Sequence, residues 1–171
     1  MLDPKSRIYG YTPAEVIVLD TETTGFRKDD EILQLSAVDG FGREVINVFF
    51  KPEYKKTWVE AEKINHISPK TVENAKTLSS VKAQLQNFLN NYKCIVGFNI
   101  SFDIRMLNQS NLDTSHMSVV DVKTLYSNHY GVSKLVDATS RFGYVYNAHD
   151  SLEDVKATLF VLETLMKENM C

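Results

Sequence analysis

Cysteine is nearly absent from this chain: Cys94 and Cys171 are the only two in 171 residues. Two cysteines build no disulfide framework, and these fall in no metal-ligand spacing. Cys94 lies in an apolar run and is expected to pack as a small hydrophobe. An excess of positive charge is also missing. The 19 Lys and Arg are outweighed by 22 Asp and Glu, a formal net charge of −3. That argues against a protein that grips duplex nucleic acid through a broad basic surface. Nucleic acid is not thereby excluded, because bound cations reverse the local charge of an acidic site. No apolar run reaches membrane-spanning length, and the N-terminus lacks the apolar stretch of a secretory leader. A cytoplasmic protein with no membrane partner is the expectation.

What is present fits one domain of ordinary size. Hydrophobic residues make up 43% of the chain and charged residues 24%, enough for a single core and too balanced for long disorder. Residues 1–14 read as a polar lead-in. Val16-Ile17-Val18-Leu19 is a short β-rich apolar run, expected as a buried central strand. Ile32 to Val38 and Glu44 to Phe50 read as two further strands, joined by the turn Asp39-Gly40-Phe41-Gly42. Short connections make these three an antiparallel meander. Lys51 to Lys63 reads as a charged loop around Trp58, in which Lys51, Lys55, Lys56 and Lys63 are solvated; a contact to a nucleic-acid backbone is the other reading. Ser68-Pro69 signals a helix start, and Leu78, Val81, Leu85, Phe88 and Leu89 keep helical spacing. A strand at Ile95 to Phe98, a helix through Phe102, Met106 and Leu107, and a short strand at Val119-Val120 follow. A small helix at Leu135 to Phe142 precedes a last one whose apolar stripe runs Leu152, Val155, Leu159, Leu162, Met166. Ala61, Ile64 and Ile67 are expected in the core. The pattern predicts an α/β protein whose mixed five-stranded sheet has three antiparallel strands, then two parallel ones, flanked by helices. Sites in such sheets gather at the carboxyl ends of central strands.

Four acids and one histidine sit where such a sheet would gather them. Asp20 and Glu22 end the first strand in Leu19-Asp20-Thr21-Glu22-Thr23-Thr24-Gly25. They are two apart, so both point to one face. Asp103 falls in the first turn of the helix after the fourth strand. His149 and Asp154 stand at the start of the last helix. Singly, each has an ordinary reading: a polar strand end, an acid favoured at a helix N-terminus, a loop histidine. Ser151-Leu152-Glu153-Asp154 also resembles a capping box, and Asp150 is an alternative cap. Together they form the inventory of metal-assisted phosphodiester hydrolysis: oxygen ligands for hard divalent cations and a proton acceptor working near neutral pH. Gly25 permits backbone conformations closed to other residues, and amides there would reach a phosphate or sugar. Phe102 reads as core or as a base-stacking aromatic at the site mouth.

These segments resemble the DEDDh exonucleases, the group that includes the proofreading epsilon subunit of bacterial replicative polymerase. Asp20-Thr21-Glu22-Thr23-Thr24-Gly25 matches the first family motif, Asn99-x-x-Phe102-Asp103 the second, and His149-x-x-x-x-Asp154 the third in its histidine form. Where a tyrosine subfamily carries its tyrosine, this chain has Asp150. The resemblance runs from about Glu15 to about Glu168, so residues 1–171 read as a single exonuclease domain. It implies a ribonuclease H-like fold and 3′–5′ exonuclease activity. Asp20, Glu22, Asp103 and Asp154 would hold two divalent ions, Mg²⁺ or Mn²⁺, with His149 as general base. Thr23, Thr24, Gly25, Asn65, His66, Asn99 and Phe102 would contact substrate. The implied partner is a single-stranded 3′ end, DNA favoured over RNA, with a polymerase or replication assembly as a further candidate. Many family members carry His-Gly-Ile over the terminal base, where this chain has Asn65-His66-Ile67. A His or Ala often precedes the second-motif Asn, where this chain has Phe98.

Overall fold

The structure is a computed structural model and describes residues 7–148 and 150–168. Five strands form one sheet in the order β3-β2-β1-β4-β5. They are β1 (Val16–Thr23), β2 (Ile32–Asp39), β3 (Glu44–Phe49), β4 (Cys94–Gly97) and β5 (Ser118–Asp121). β1 pairs antiparallel with β2 and parallel with β4, Val18 lying opposite both Val38 and Val96. β4 and β5 are parallel. The mixed three-plus-two sheet is the one the sequence predicts, with first and fourth strands as neighbours.

Alternation along β1 divides the interior. Val16 and Val18 face one layer, packed with Val155, Leu159 and Leu162 of α6 (Ser151–Lys167). Ile17 and Leu19 face the other, packed with Leu85 and Leu89 of α2 (Leu78–Leu89) and Met106 and Leu107 of α3 (Ser101–Gln109). Cys94 is fully buried, as its surroundings predicted. By the same alternation Asp20 and Glu22 point toward the α6 layer, and Thr21 toward the α3 layer. Gly97 lets the end of β4 approach closely: a Cβ there would stand 2.6 Å from Ile100 Cδ1 and 3.1 Å from the Leu19 carbonyl oxygen.

Several details depart from the sequence expectation. The charged stretch after β3 contains a helix, α1 (Val59–Asn65). Its start is anchored by Trp58, which is buried with Leu33, Ile67 and Val72 and donates its indole N–H to the Ile67 carbonyl at 2.6 Å. Ile67 is core and Ala61 packs against it, but Ile64 is 48% exposed on the outer side of α1. Ser68-Pro69 opens a run of turns and no helix. The Ser68 and Thr71 hydroxyls bind each other at 3.0 Å and Ser68 Oγ accepts the Thr71 amide, closing one turn with no apolar stripe beyond it. The helix begins only at Leu78, capped by the Thr77 hydroxyl on Ser80 N. α4 (Val122–Tyr130), unforeseen, follows β5 directly and is capped by Asp121. α5 (Leu135–Arg141) and α6 agree with expectation. Phe98 lies just past β4 and packs half-buried against the α6 layer. Among the described residues no helix is long and apolar enough to cross a membrane.

Trp58→Phe would leave the Ile67 carbonyl without its buried donor. A loss of roughly 1–3 kcal/mol is expected, read as a lower denaturant midpoint with unchanged slope; an unaltered midpoint would mean that this anchor does not hold α1.

Candidate active site

The C-terminal end of β1 meets the N-terminal ends of α3 and α6. Each of Asp20, Glu22 and Asp154 offers one carboxylate oxygen, and the three oxygens lie within 4.8 Å of one another. Asp103 arrives from the opposite layer. Its Oδ1 accepts the Thr21 amide at 2.9 Å and the Thr21 hydroxyl at 2.7 Å, which stand it beside Asp20. The four predicted acids are thus brought together, from both sides of one strand end. His149 lies outside the described residues.

The start of α6 rejects the capping-box reading of Asp154. Asp150 is the cap, its Oδ1 accepting the amides of Leu152 at 3.1 Å and Glu153 at 3.2 Å. Asp154 instead stands in the cluster and accepts a hydrogen bond from the Tyr146 phenol.

Burial and crowding make the cluster hard to ionise. Burial, then the charges of Asp103, Glu22 and Asp154, hold the Asp20 carboxyl well above the usual carboxylate range. Burial, then Asp154, push Glu22 up to about 7, while the neighbouring Asn65 amide pulls the other way. Burial raises Asp103 to about 7 against the opposing Thr21 hydrogen bonds. Tyr146 is pushed up by burial and by Asp154. A set of half-buried oxygen donors that resist ionisation alone is suited to a hard divalent cation, which restores charge balance on binding.

Beside the acids, the turn Thr23 to Glu31 is tied to itself. Thr23 Oγ1 donates to the Gly25 carbonyl at 2.8 Å. Thr24 Oγ1 donates to Asp30 Oδ1 at 2.8 Å and accepts the Glu31 amide at 2.9 Å. The Thr24 amide is held by the Glu31 carbonyl. A Cβ on Gly25 would stand 2.6 Å from Asp30 Oδ2, so the turn closes only around glycine. Asn65 is buried, donating to the Thr23 carbonyl at 3.1 Å and accepting the Ile67 amide. His66 is exposed in the left-handed region at φ 57°, at the position where the resembled family often has glycine. Asn99 is also left-handed, at φ 70°, its amide donating to Asp121 Oδ1 at 3.0 Å. Phe102 meets Phe26 edge-on at 5.6 Å, and Arg105 lies over its ring. Phe26 is 70% exposed.

A cavity of about 410 Å³ adjoins this turn, lined by Thr24, Gly25, Phe26, Val59 and Ile64 among others, a size that fits a nucleotide. A larger one, about 660 Å³, lies away from the acids between the β3–α1 loop, α2 and the end of α3. The lysines around Trp58 are engaged within the chain: Lys55 with Asp29, Lys63 with Glu60, Lys51 with the Glu73 carbonyl and Lys56 with the Glu53 carbonyl. Sequence reasoning passed over Thr21, Ser151 and Tyr146. The first two lie inside the motifs, where a hydroxyl between acids is a readable signal; nothing in the sequence marks Tyr146.

Comparison with known proteins agrees with this site. A model of the RNase_T family, described as exonuclease, matches residues 17–162. The chain is 27% identical over 172 residues to an uncharacterised exonuclease, CP81, of Escherichia phage 186, covering 88% of each. It is 24% identical over 164 residues to RNA exonuclease 4 of Candida glabrata, covering 89% of this chain and 60% of that protein. In fold it is similar to E. coli exonuclease I bound to single-stranded DNA and zinc, with a TM-score of 0.74 at 19% identity, covering 90% of this chain and 40% of the other. The chain spans less than half of the exonuclease I chain, and that likeness concerns the ribonuclease H-like fold alone. The chain belongs to the RNase_T exonuclease family. The site's oxygen donors and the family together point to divalent metal ions.

Carboxyls with raised pKa bind protons more tightly in the folded chain than in the unfolded one. The metal-free fold therefore loses stability as pH rises, for Glu22 between its ordinary 4.5 and about 7. Asp20→Asn removes one acid from the cluster. In chelator at pH 8 it should raise stability by on the order of 1 kcal/mol or more, about 2–4 °C in Tm for each kcal/mol, with a smaller gain at pH 4.5. Calorimetry at the two pH values checks this, and an equal or lower Tm at pH 8 would refute the repulsion argument.

Proposed function

We propose that the chain is a metal-dependent 3′–5′ exonuclease of the DEDDh type, acting as one domain over residues 1–171 in the cytoplasm. It removes nucleoside 5′-monophosphates from single-stranded 3′ ends, DNA in preference to RNA. The observation that carries the reading is the meeting of Asp20, Glu22 and Asp154 at one strand end, with Asp103 held beside them by Thr21, in a chain of an exonuclease family.

In this reading Asp20, Glu22, Asp103 and Asp154 hold two divalent ions, Mg²⁺ or Mn²⁺. When bound, the pair would make water more acidic and offset charge on the phosphate. His149 takes the proton from the attacking water. The turn at Thr23, Thr24 and Gly25 seats the terminal nucleotide, with Asn65, His66, Asn99 and Phe102 around it. Both threonine hydroxyls and the Thr24 amide already have partners within the turn, so Gly25 and the rim residues make the contacts. Those committed hydroxyls favour DNA, since neither is open to recognise a ribose 2′-hydroxyl. The likeness to RNA exonuclease 4 supports the alternative, an exoribonuclease. A polymerase or replication assembly is the candidate protein partner.

Labelled single-stranded DNA and RNA of matched sequence, offered with Mg²⁺, Mn²⁺ or chelator, test the reading. Release of mononucleotides from the 3′ end is expected only with metal and faster from DNA; the reverse ratio would transfer the enzyme to RNA. Asp20→Ala should abolish release while the protein stays folded, and turnover near wild type would overturn the assignment. His149→Ala should lose about 10²–10⁴-fold near neutral pH; full activity there would remove it from the chemistry.

A further inference from the structure

Ser151 is the first residue of α6, 1% exposed, and its hydroxyl takes no part in capping because Asp150 performs that role. The hydroxyl turns across the interlayer gap to β1 and donates to Asp20 Oδ2 at 3.0 Å, with the Asp20 carbonyl oxygen at 3.5 Å. Residues three apart on a helix share a face, so Ser151 and Asp154 present themselves to β1 together. Ser151 is thus tied to one acid of the cluster by a hydrogen bond and to another by a single helical turn.

We propose that Ser151 is a positioning residue that fixes the Asp20 carboxylate and, through it, the separation of Asp20 from Asp154, so that their oxygens meet a metal ion without rearrangement. The proposal rests on the exonuclease reading above. A hydrogen bond from a serine hydroxyl fixes the rotation of the carboxylate plane and commits Oδ2, leaving the remaining lone pairs oriented. Thr21 does the same for Asp103 from the other layer. The third motif thus contributes a hydroxyl as well as an acid. Loss of such an outer hydrogen bond to a ligand weakens metal binding or activity by about 10–100-fold in metal sites generally. Packing alone predicts no such loss, because alanine fits where serine stood.

The test compares wild type, Ser151→Ala and Ser151→Thr by Mn²⁺ calorimetry and by oligonucleotide hydrolysis across a metal titration. Ser151→Ala should weaken Mn²⁺ binding about 10-fold and raise the half-saturating metal concentration to match, while KM for the oligonucleotide at saturating metal stays the same. Ser151→Thr, which keeps the hydroxyl, should recover most of both. Thermal unfolding in chelator checks that each variant is folded; if Ser151→Ala is not, Ser151→Cys replaces it with the same expected loss. Wild-type metal affinity in the folded alanine or cysteine variant would overturn the role of Ser151, as would a change confined to KM. Wild type that neither binds Mn²⁺ nor hydrolyses would overturn the nuclease reading itself, and this proposal with it.

Discussion

Asp20, Glu22, Asp103 and Asp154 repel one another, and burial removes the water that would screen them. The rest of the molecule can be understood as the frame that holds them against that repulsion. β1 is flanked by β2 and β4 and covered on both faces, so its end cannot relax outward. α6 rests along one face and α3 along the other, each delivering an acid from its first turns. The raised pKa values of Glu22 and Asp103 measure the remaining discomfort, which a divalent cation relieves. Site and stability are therefore opposed in the bare chain and aligned when metal is present.

Two hydroxyls moderate this opposition locally. Thr21 gives Asp103 two hydrogen bonds and Ser151 gives Asp20 one. Both hydroxyls are nearly inaccessible to solvent, so their alternatives to these carboxylates are few. Hydrogen bonds to the charged form favour it, and each fixes an orientation as well. The turn from Thr23 to Glu31 is organised by the same means: Asp30 binds the Thr24 hydroxyl and the Arg27 amide. Substrate approaching this turn meets a surface whose polar groups are already assigned.

The sheet and the four acids were legible because they depend on short-range chemistry repeated along the chain. The β-branched run Val16 to Leu19 announces a buried strand, and alternation then assigns Asp20 and Glu22 to one face. What was illegible depends on contacts distant in sequence. The seven-residue α1 has a charged outer face and is held by one buried indole, so its periodicity is too brief to read. Ser68-Pro69 carries a correct local signal for a turn, and only the absence of a following stripe stops the helix. Asp150 and Ser151 both have side chains able to cap α6; the choice is made by Asp20, more than a hundred residues earlier. Tyr146 reaches Asp154 from an irregular segment no pattern marks.

The strict alternation of β1 also says how this gene can vary. Val16 and Val18 serve the α6 layer, Ile17 and Leu19 the α3 layer, and the acids continue that order without a break. Substitution of one aliphatic residue by another preserves it. Insertion or deletion of a single codon between Val16 and Glu22 would exchange the two layers, sending both acids toward α3 and Thr21 toward α6. This stretch should therefore keep a fixed length among descendants of the sequence even as its apolar letters drift. The β3–α1 loop is under no comparable constraint and is the natural place for length variation to accumulate.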